Sequence, residues 1–249
     1  MNASIPAAIL SRRRRERGLT LVELMVSMGI AVFLLTGVLT IFQNTRHTFT
    51  TQNQMAQLQD NERLAMTLIS DVIESAGYFP DPTVNTSLSA LPTDPLFAAA
   101  GQAVVGTANA APPGDTIVVR FLTNPNDNVI NCVGGTNTTG AVVLYENVFS
   151  LDGLGNLRCA VNGAPSVPLV AGVQNMRIYY GVKTNFAVQN GAVDSYLRAN
   201  EMLPAYWSNV ISVKVVLTFT NPLAGQPNQP PTIQFERVVA VMNHAGVST

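Results

Sequence analysis

From Leu19 to Phe42 the chain runs through 24 residues in which Glu23 is the only side chain that ionises. At about 1.5 Å per residue this apolar span makes roughly 36 Å of helix, enough to cross a bilayer core of about 30 Å. After Phe42 the sequence turns polar but keeps a helical period. Residues 43–79 contain no proline, and Met55, Leu58, Ala65, Ile69, Val72 and Ala76 recur at spacings of three, four and seven. Those spacings draw one stripe along a helix, while Asp60, Glu62, Arg63, Asp71 and Glu74 fill other faces. Gly77 offers a C-terminal cap, and Pro80 and Pro82 prevent continuation. The pattern predicts one helix from about Leu19 to about Ala76, about 90 Å long. The alternative is a break at residues 43–51, where the polar, β-branched run 45–51 weakens the helix. Gly29 and Gly37 are further weak points.

Residues 80–114 are rich in Pro, Ala, Thr, Asn and Gly and read as a long irregular connection. From Thr116 the period changes to two. Residues 116–123, 142–149, 175–184, 210–221 and 232–242 are dense in Val, Ile, Tyr and Phe, and turn residues separate them. Within 210–220, Val213, Val215, Leu217 and Phe219 alternate with Lys214, Val216 and Thr218, as a half-buried strand requires. The strands follow one another without helical patterns between them, so the sheet is expected to be mainly antiparallel. A short helix is expected around residues 195–203.

Charge adds direction to this plan. Five Arg and one Glu fall within residues 1–18, leaving nine basic and fourteen acidic residues, a net of −5, after the whole-chain net of −1 is divided there. The basic excess precedes the span, which places residues 1–18 on the cytoplasmic side and everything after Phe42 outside. Only Lys183, Lys214 and seven scattered Arg lie beyond residue 18, so a nucleic-acid surface of clustered cations is disfavoured. Cys132 and Cys159 fall in the exported part. An even count in an oxidising compartment favours a disulfide, closing a loop of 28 residues, over two buried free thiols.

Candidate chemistry is thin. The sequence has no P-loop, no G-x-G-x-x-G after a strand, no G-x-S-x-G elbow and no H-E-x-x-H. The two histidines, His47 and His244, cannot complete a ligand set with two distant cysteines. No enzyme, metal or cofactor is expected. Glu23 stands out instead. A lone carboxylate in an apolar span costs about 2.5–3.5 kcal/mol on insertion scales, so it calls for a partner. A secretory signal peptide does not explain the region, because Gln43-Asn44-Thr45-Arg46 after Phe42 offers no small-residue cleavage site. Four consecutive arginines fit a twin-arginine signal poorly. A plain single-pass anchor accounts for the arginines and the span but not for Glu23.

Arg12-Arg13-Arg14-Arg15-Glu16-Arg17-Gly18 followed by Leu19-Thr20-Leu21-Val22-Glu23 resembles the class III signal of type IV prepilins and type II secretion pseudopilins. The resemblance implies cleavage by a prepilin peptidase between Gly18 and Leu19 and methylation of the new N-terminus at Leu19, where phenylalanine is usual in the family. It also implies that Glu23 guides assembly by pairing with the N-terminus of a neighbouring subunit. Glu74-Ser75-Ala76-Gly77-Tyr78-Phe79 at the helix end resembles PilW-type minor pilins. So do residues 173–182, with Met176 and Tyr180-Gly181-Val182, and the later Trp207-Ser208-Asn209-Val210. The implied fold is α+β and type IV pilin-like, a long N-terminal helix packed on a mainly antiparallel sheet domain. The implied division is a cytoplasmic leader at 1–18, a transmembrane or filament-core half-helix at 19–42, an amphipathic half-helix at 43–79 and a β-rich periplasmic domain at 80–249. The implied role is a minor pilin that primes pilus assembly with other minor pilins, the major pilin and a tip adhesin, from the inner membrane. A GspJ-like pseudopilin of a type II secretion system is the near alternative. A membrane-tethered periplasmic enzyme or binding protein is the alternative of another class.

Overall fold

The computed structural model describes residues 18–185 and 192–242. The chain divides into two units after Thr50, and they are taken in turn. The first carries the start of helix α1, Leu21–Glu74, which runs on into the second unit without interruption. The alternative of a break at residues 43–51 is not realised, and α1 continues through Gly29 and Gly37. The threonines there do not open the helix. Thr36, Thr40, Thr45, Thr48 and Thr50 each donate their hydroxyl to the carbonyl four residues back, at 2.8–3.0 Å, which satisfies the hydroxyl within the helix. Every residue from 18 to 50 is exposed.

In the second unit α1 buries one stripe: Leu58, Ala65, Met66, Ile69, Ser70, Val72 and Ile73. Met66, Ser70 and Ile73 widen the stripe beyond the expected positions, and Met55 sits at its partly buried edge. The helix ends at Glu74, two residues before the expected Ala76. Ala76 is still buried, in the turn that follows. Gly77 takes φ +75°, and its N–H donates to the Arg120 carbonyl at 3.0 Å, while Leu122 donates to the Tyr78 carbonyl at 2.8 Å. The glycine thus turns the chain off the helix and lays residues 77–78 against a strand.

That strand is β2, Thr116–Thr123, in a five-stranded antiparallel meander. Its neighbours are β1 (Val104–Thr107), β3 (Val143–Leu151), β4 (Asn156–Val161) and β5 (Val167–Ala171), in the order β1-β2-β3-β4-β5. A second sheet contains β6 (Val173–Val182), β7 (Ser195–Leu197), β8 (Val210–Thr220) and β9 (Thr232–Ala240), in the order β7-β6-β8-β9, with antiparallel pairs throughout. The α+β expectation holds, divided between two sheets. One core cluster draws on the second half of α1 and on both sheets, with Phe121 and Phe149 from the first and Val213, Val215, Leu217 and Phe219 from the second. Tyr180 is fully buried and meets Trp207 edge-on, with ring centroids 4.7 Å apart.

Three expectations are corrected. Residues 195–203 do not form an α-helix: they hold β7 and a 3-10 turn, Ala199–Glu201, with a second 3-10 turn at Pro204–Asn209. The "irregular" stretch 80–114 contains a short helix α2, Ser87–Ala90, and β1. Its loop is fixed by Arg120, whose side chain is 1% exposed. The guanidinium pairs with Asp94 at 2.6 Å, donates to the carbonyls of Gln102, Pro92 and Leu91, and lies 4.1 Å over the Phe97 ring. Burial pushes the Arg120 pKa down while Asp94 and then Glu146 pull it back. A stretch with no periodic pattern is therefore held by one arginine on β2. Finally, no strand was expected at 156–161, yet β4 lies there: Cys132 and Cys159 are bonded to each other as expected, and Cys159 sits on β4 opposite Phe149.

Candidate functional site at the start of the helix

Gly18 and Leu19 precede α1 as exposed, non-helical residues, and residues 1–17 lie outside the described residues. Thr20 is the hinge of the site. Its carbonyl accepts the first helical bond, from Leu24 N–H at 3.2 Å. Its hydroxyl oxygen accepts the N–H of Glu23 at 3.2 Å, and the Glu23 carboxylate reaches back to accept both the N–H and the hydroxyl of Thr20, each at 3.2 Å. This is a reciprocal capping box, with Thr20 as N-cap and Glu23 as the third helical residue. A carboxylate in the first turn also meets the positive end of the helix dipole.

The sequence reading placed Glu23 and missed Thr20. The signal was there, in Thr20-Leu21-Val22-Glu23, the spacing of a capping box. The consequence is chemical. One Glu23 oxygen is engaged within its own chain, so the carboxylate enters an apolar setting partly satisfied, and accepting capacity remains for a cation from outside. Leu19, the residue expected to supply that cation after cleavage, is 78% exposed. A Cβ built on Gly18 would meet nothing within 4 Å. The folded chain itself therefore does not need glycine at 18.

Beyond the cap, α1 is the one helix among the described residues that is long and apolar enough to cross a membrane. The large side chains from Leu21 to Phe42 are all at least half exposed. At the polar end of this span the Arg46 guanidinium lies 4.7 Å over the Phe42 ring. His47 is exposed on the same helix, and His244 lies outside the described residues.

The other singled-out pair, Cys132 and Cys159, is far from this cap in sequence and serves a different purpose. Cys132 donates its N–H to the Asn147 side-chain oxygen at 2.9 Å. Fully buried Asn147 in turn donates to the Val119 carbonyl at 3.4 Å. The bridge and Asn147 together tie the loop after β2 to β2, β3 and β4.

Comparison with known proteins meets the chain at both ends. Residues 13–39 match the family described as the prokaryotic N-terminal methylation motif, and residues 136–243 match the family described as type IV pilus-assembly protein W. Among solved structures, a type IV-like pilin from Thermus thermophilus is similar, with 16% identity and a TM-score of 0.45, over 76% of this chain and 97% of that one. No curated protein matches. With the methylation motif over the capped apolar span and the PilW match over β3 to β9, this chain is a PilW-like type IV pilin.

Proposed function

We propose that the protein is a minor pilin of a bacterial type IV pilus, a structural subunit that primes assembly together with other minor pilins and the major pilin and supports a tip adhesin. One observation carries the reading: an apolar half-helix with no buried residue, begun by a carboxylate that its own chain only partly satisfies. An isolated anchor has no use for that carboxylate. A subunit that must leave lipid for a bundle formed with the helices of other subunits does.

The steps follow from the residues. The leader, 1–18, remains cytoplasmic, and prepilin peptidase cuts between Gly18 and Leu19. Because nothing in the fold crowds Gly18, the demand for glycine belongs to the peptidase. Residues 19–42 hold the processed subunit in the inner membrane with residues 80–249 in the periplasm, and 43–79 connect the two. On assembly the span passes from lipid into the filament core. Capped Glu23 there receives the methylated amine of Leu19 from an adjacent subunit, an ion pair strengthened by low dielectric. A subunit in the wrong register leaves a buried charge unpaired, so the pair also fixes axial position.

Two substitutions test this. Gly18→Arg is expected to leave the full-length chain in the membrane, and normal-length mature protein would overturn the prepilin reading. Glu23→Val removes a charge from lipid and is expected to insert as well as wild type, yet to be missing from sheared filaments. Unimpaired incorporation would remove Glu23 from assembly.

A further inference from the structure

Most strand edges among the described residues are blunted. β1 has four residues and β7 three, and β5 carries Pro168 where the register with β4 shifts between Leu157 and Arg158. Short, irregular or proline-bearing edges are how folded proteins avoid unwanted strand addition. β9 has none of these defences. It runs nine residues without proline or lysine, and its register with β8 is unbroken from Thr232 opposite Thr220 to Ala240 opposite Ser212. As the last strand of β7-β6-β8-β9 it pairs, among the described residues, with β8 alone.

The bonds bracketing β9 fix which of its backbone groups face outward. Val241 donates its N–H to the Ile211 carbonyl at 2.8 Å, and the Pro231 carbonyl accepts from Asn221 at 3.0 Å. Backbone groups along an antiparallel strand address alternate sides. Residues 233, 235, 237 and 239 therefore bond to β8. Thr232, Gln234, Glu236, Val238 and Ala240 turn their N–H and C=O away from it, and the last four are exposed. This leaves a row of donor–acceptor pairs repeating every two residues, about 6.8 Å. A helix satisfies its own backbone and cannot match that repeat. An extended chain can.

The side chains favour such an occupant. Buried Val239 and the core-packed Ile233 and Phe235 hold β9 in place. Glu236 is paired with Lys214 at 2.7 Å, so no lone carboxylate meets an incoming strand. We propose that the open edge of β9 receives an extended segment of a different filament subunit, which adds as a fifth strand to this sheet. The proposal rests on the pilin reading given above. A second copy is the poorer occupant, since two β9 edges pairing about a two-fold axis consume the open edge of both and close at a dimer. Residues of the incoming strand opposite Gln234, Glu236 and Val238 set which subunit fits, and the apolar span supplies the second point of attachment.

The test is residue-resolved hydrogen exchange on the full chain, once as detergent-solubilised subunit and once in sheared filaments whose content of this chain is measured by mass spectrometry. The amides of Gln234, Glu236, Val238 and Ala240 are expected to exchange fast in the subunit and about 100-fold more slowly in filaments. Those of Phe235, Arg237 and Val239 are expected to be slow in both. Fast exchange at the four positions in filaments that contain the chain overturns the proposal and leaves the pilin reading standing. Slow exchange already in detergent, with a dimer mass, assigns the edge to a second copy and overturns it too. Absence of the chain from filaments overturns both readings. Val238→Pro gives a second check, because it deletes one outward N–H and no bond to β8. It is expected to melt like wild type while its incorporation into filaments falls about tenfold, the value of one backbone hydrogen bond. Unchanged incorporation overturns the proposal.

Discussion

One helix has two opposite relations to its surroundings. From Leu21 to Thr50, α1 is exposed at every position and carries the densest run of apolar residues in the chain. From Leu58 onward it is polar on most of its surface, yet buries seven residues against the sheets. Hydrophobicity alone does not sort the two. The second half has its apolar residues on one stripe and finds a core within its own chain, whereas the first is apolar on every side as far as Phe42 apart from Glu23, and none of it is buried. Substitutions of the residues that α1 buries from Leu58 onward, and of the core residues they meet, are therefore expected to change the stability of the folded domain. Those before Thr50 are expected to change where the protein goes while leaving its melting untouched.

The comparison breaks most readily at Arg120. Arg120→Ala removes the partner of Asp94 and the donor to three carbonyls, and is expected to cost about 3–5 kcal/mol, as for a broken buried ion pair. Thermal melting of the detergent-solubilised protein checks it, with Leu34→Ala as the counterpart expected to stay within about 0.5 kcal/mol of wild type. The double substitution Cys132→Ser/Cys159→Ser comes next. Releasing a loop of this length is expected to cost about 3.5 kcal/mol in the chain-entropy account, and the variant melts earlier while still being cleaved normally. Two reactive thiols in the unreduced wild type would contradict this.

Thr20→Ala sharpens the contrast from the other side. Losing the N-cap is expected to cost the helix start about 0.5–2 kcal/mol, seen as faster amide exchange at residues 20–24 with the domain's melting point unchanged. A shifted melting point would mean that the two halves are energetically coupled. The smallest effect is acidic. Asp152, held by the Asn156 side chain and then its N–H, and Asp194, held by the N–H groups of Asn185 and Thr184, both have pKa values lowered to about 2 from 3.8. Each stabilises the fold when ionised, so its contribution is complete above about pH 3.8 and fades as pH falls through 2. Asp152→Asn/Asp194→Asn is expected to flatten the melting profile over that window.

Much of this was legible in advance, and the reasons differ by region. The apolar span, the stripe and β2 follow from periods of 3.6 and 2, and β2 was placed to the residue at Thr116–Thr123. β4 and β5 were missed because Asn156, Arg158, Asn162 and Pro168 interrupt the apolar alternation. β1 has four residues, too few for a period to register. Order in residues 91–102 draws on the long-range partner Arg120 as well as on short-range bonds such as Gly101 N–H to the Leu91 carbonyl, and no periodic pattern announces either. At the candidate site Glu23 was conspicuous as a charge among apolar residues, while Thr20, its partner, blended with the ordinary hydroxyls of the span.

The junction at residues 76–78 also has a mechanical meaning. Gly77 and Tyr78 hand the end of α1 to β2 through two backbone hydrogen bonds, and β2 is gripped by β1 on one side and β3 on the other. Tension on the helix is thus delivered to an interior strand, not to a loop or a free edge. The same strand carries Arg120, which clamps residues 91–102. A pull that draws α1 away has to strip its buried stripe from the core and also break the two backbone bonds to β2. The helix end works as a coupling that shares load across a sheet, so the domain resists extraction as a block.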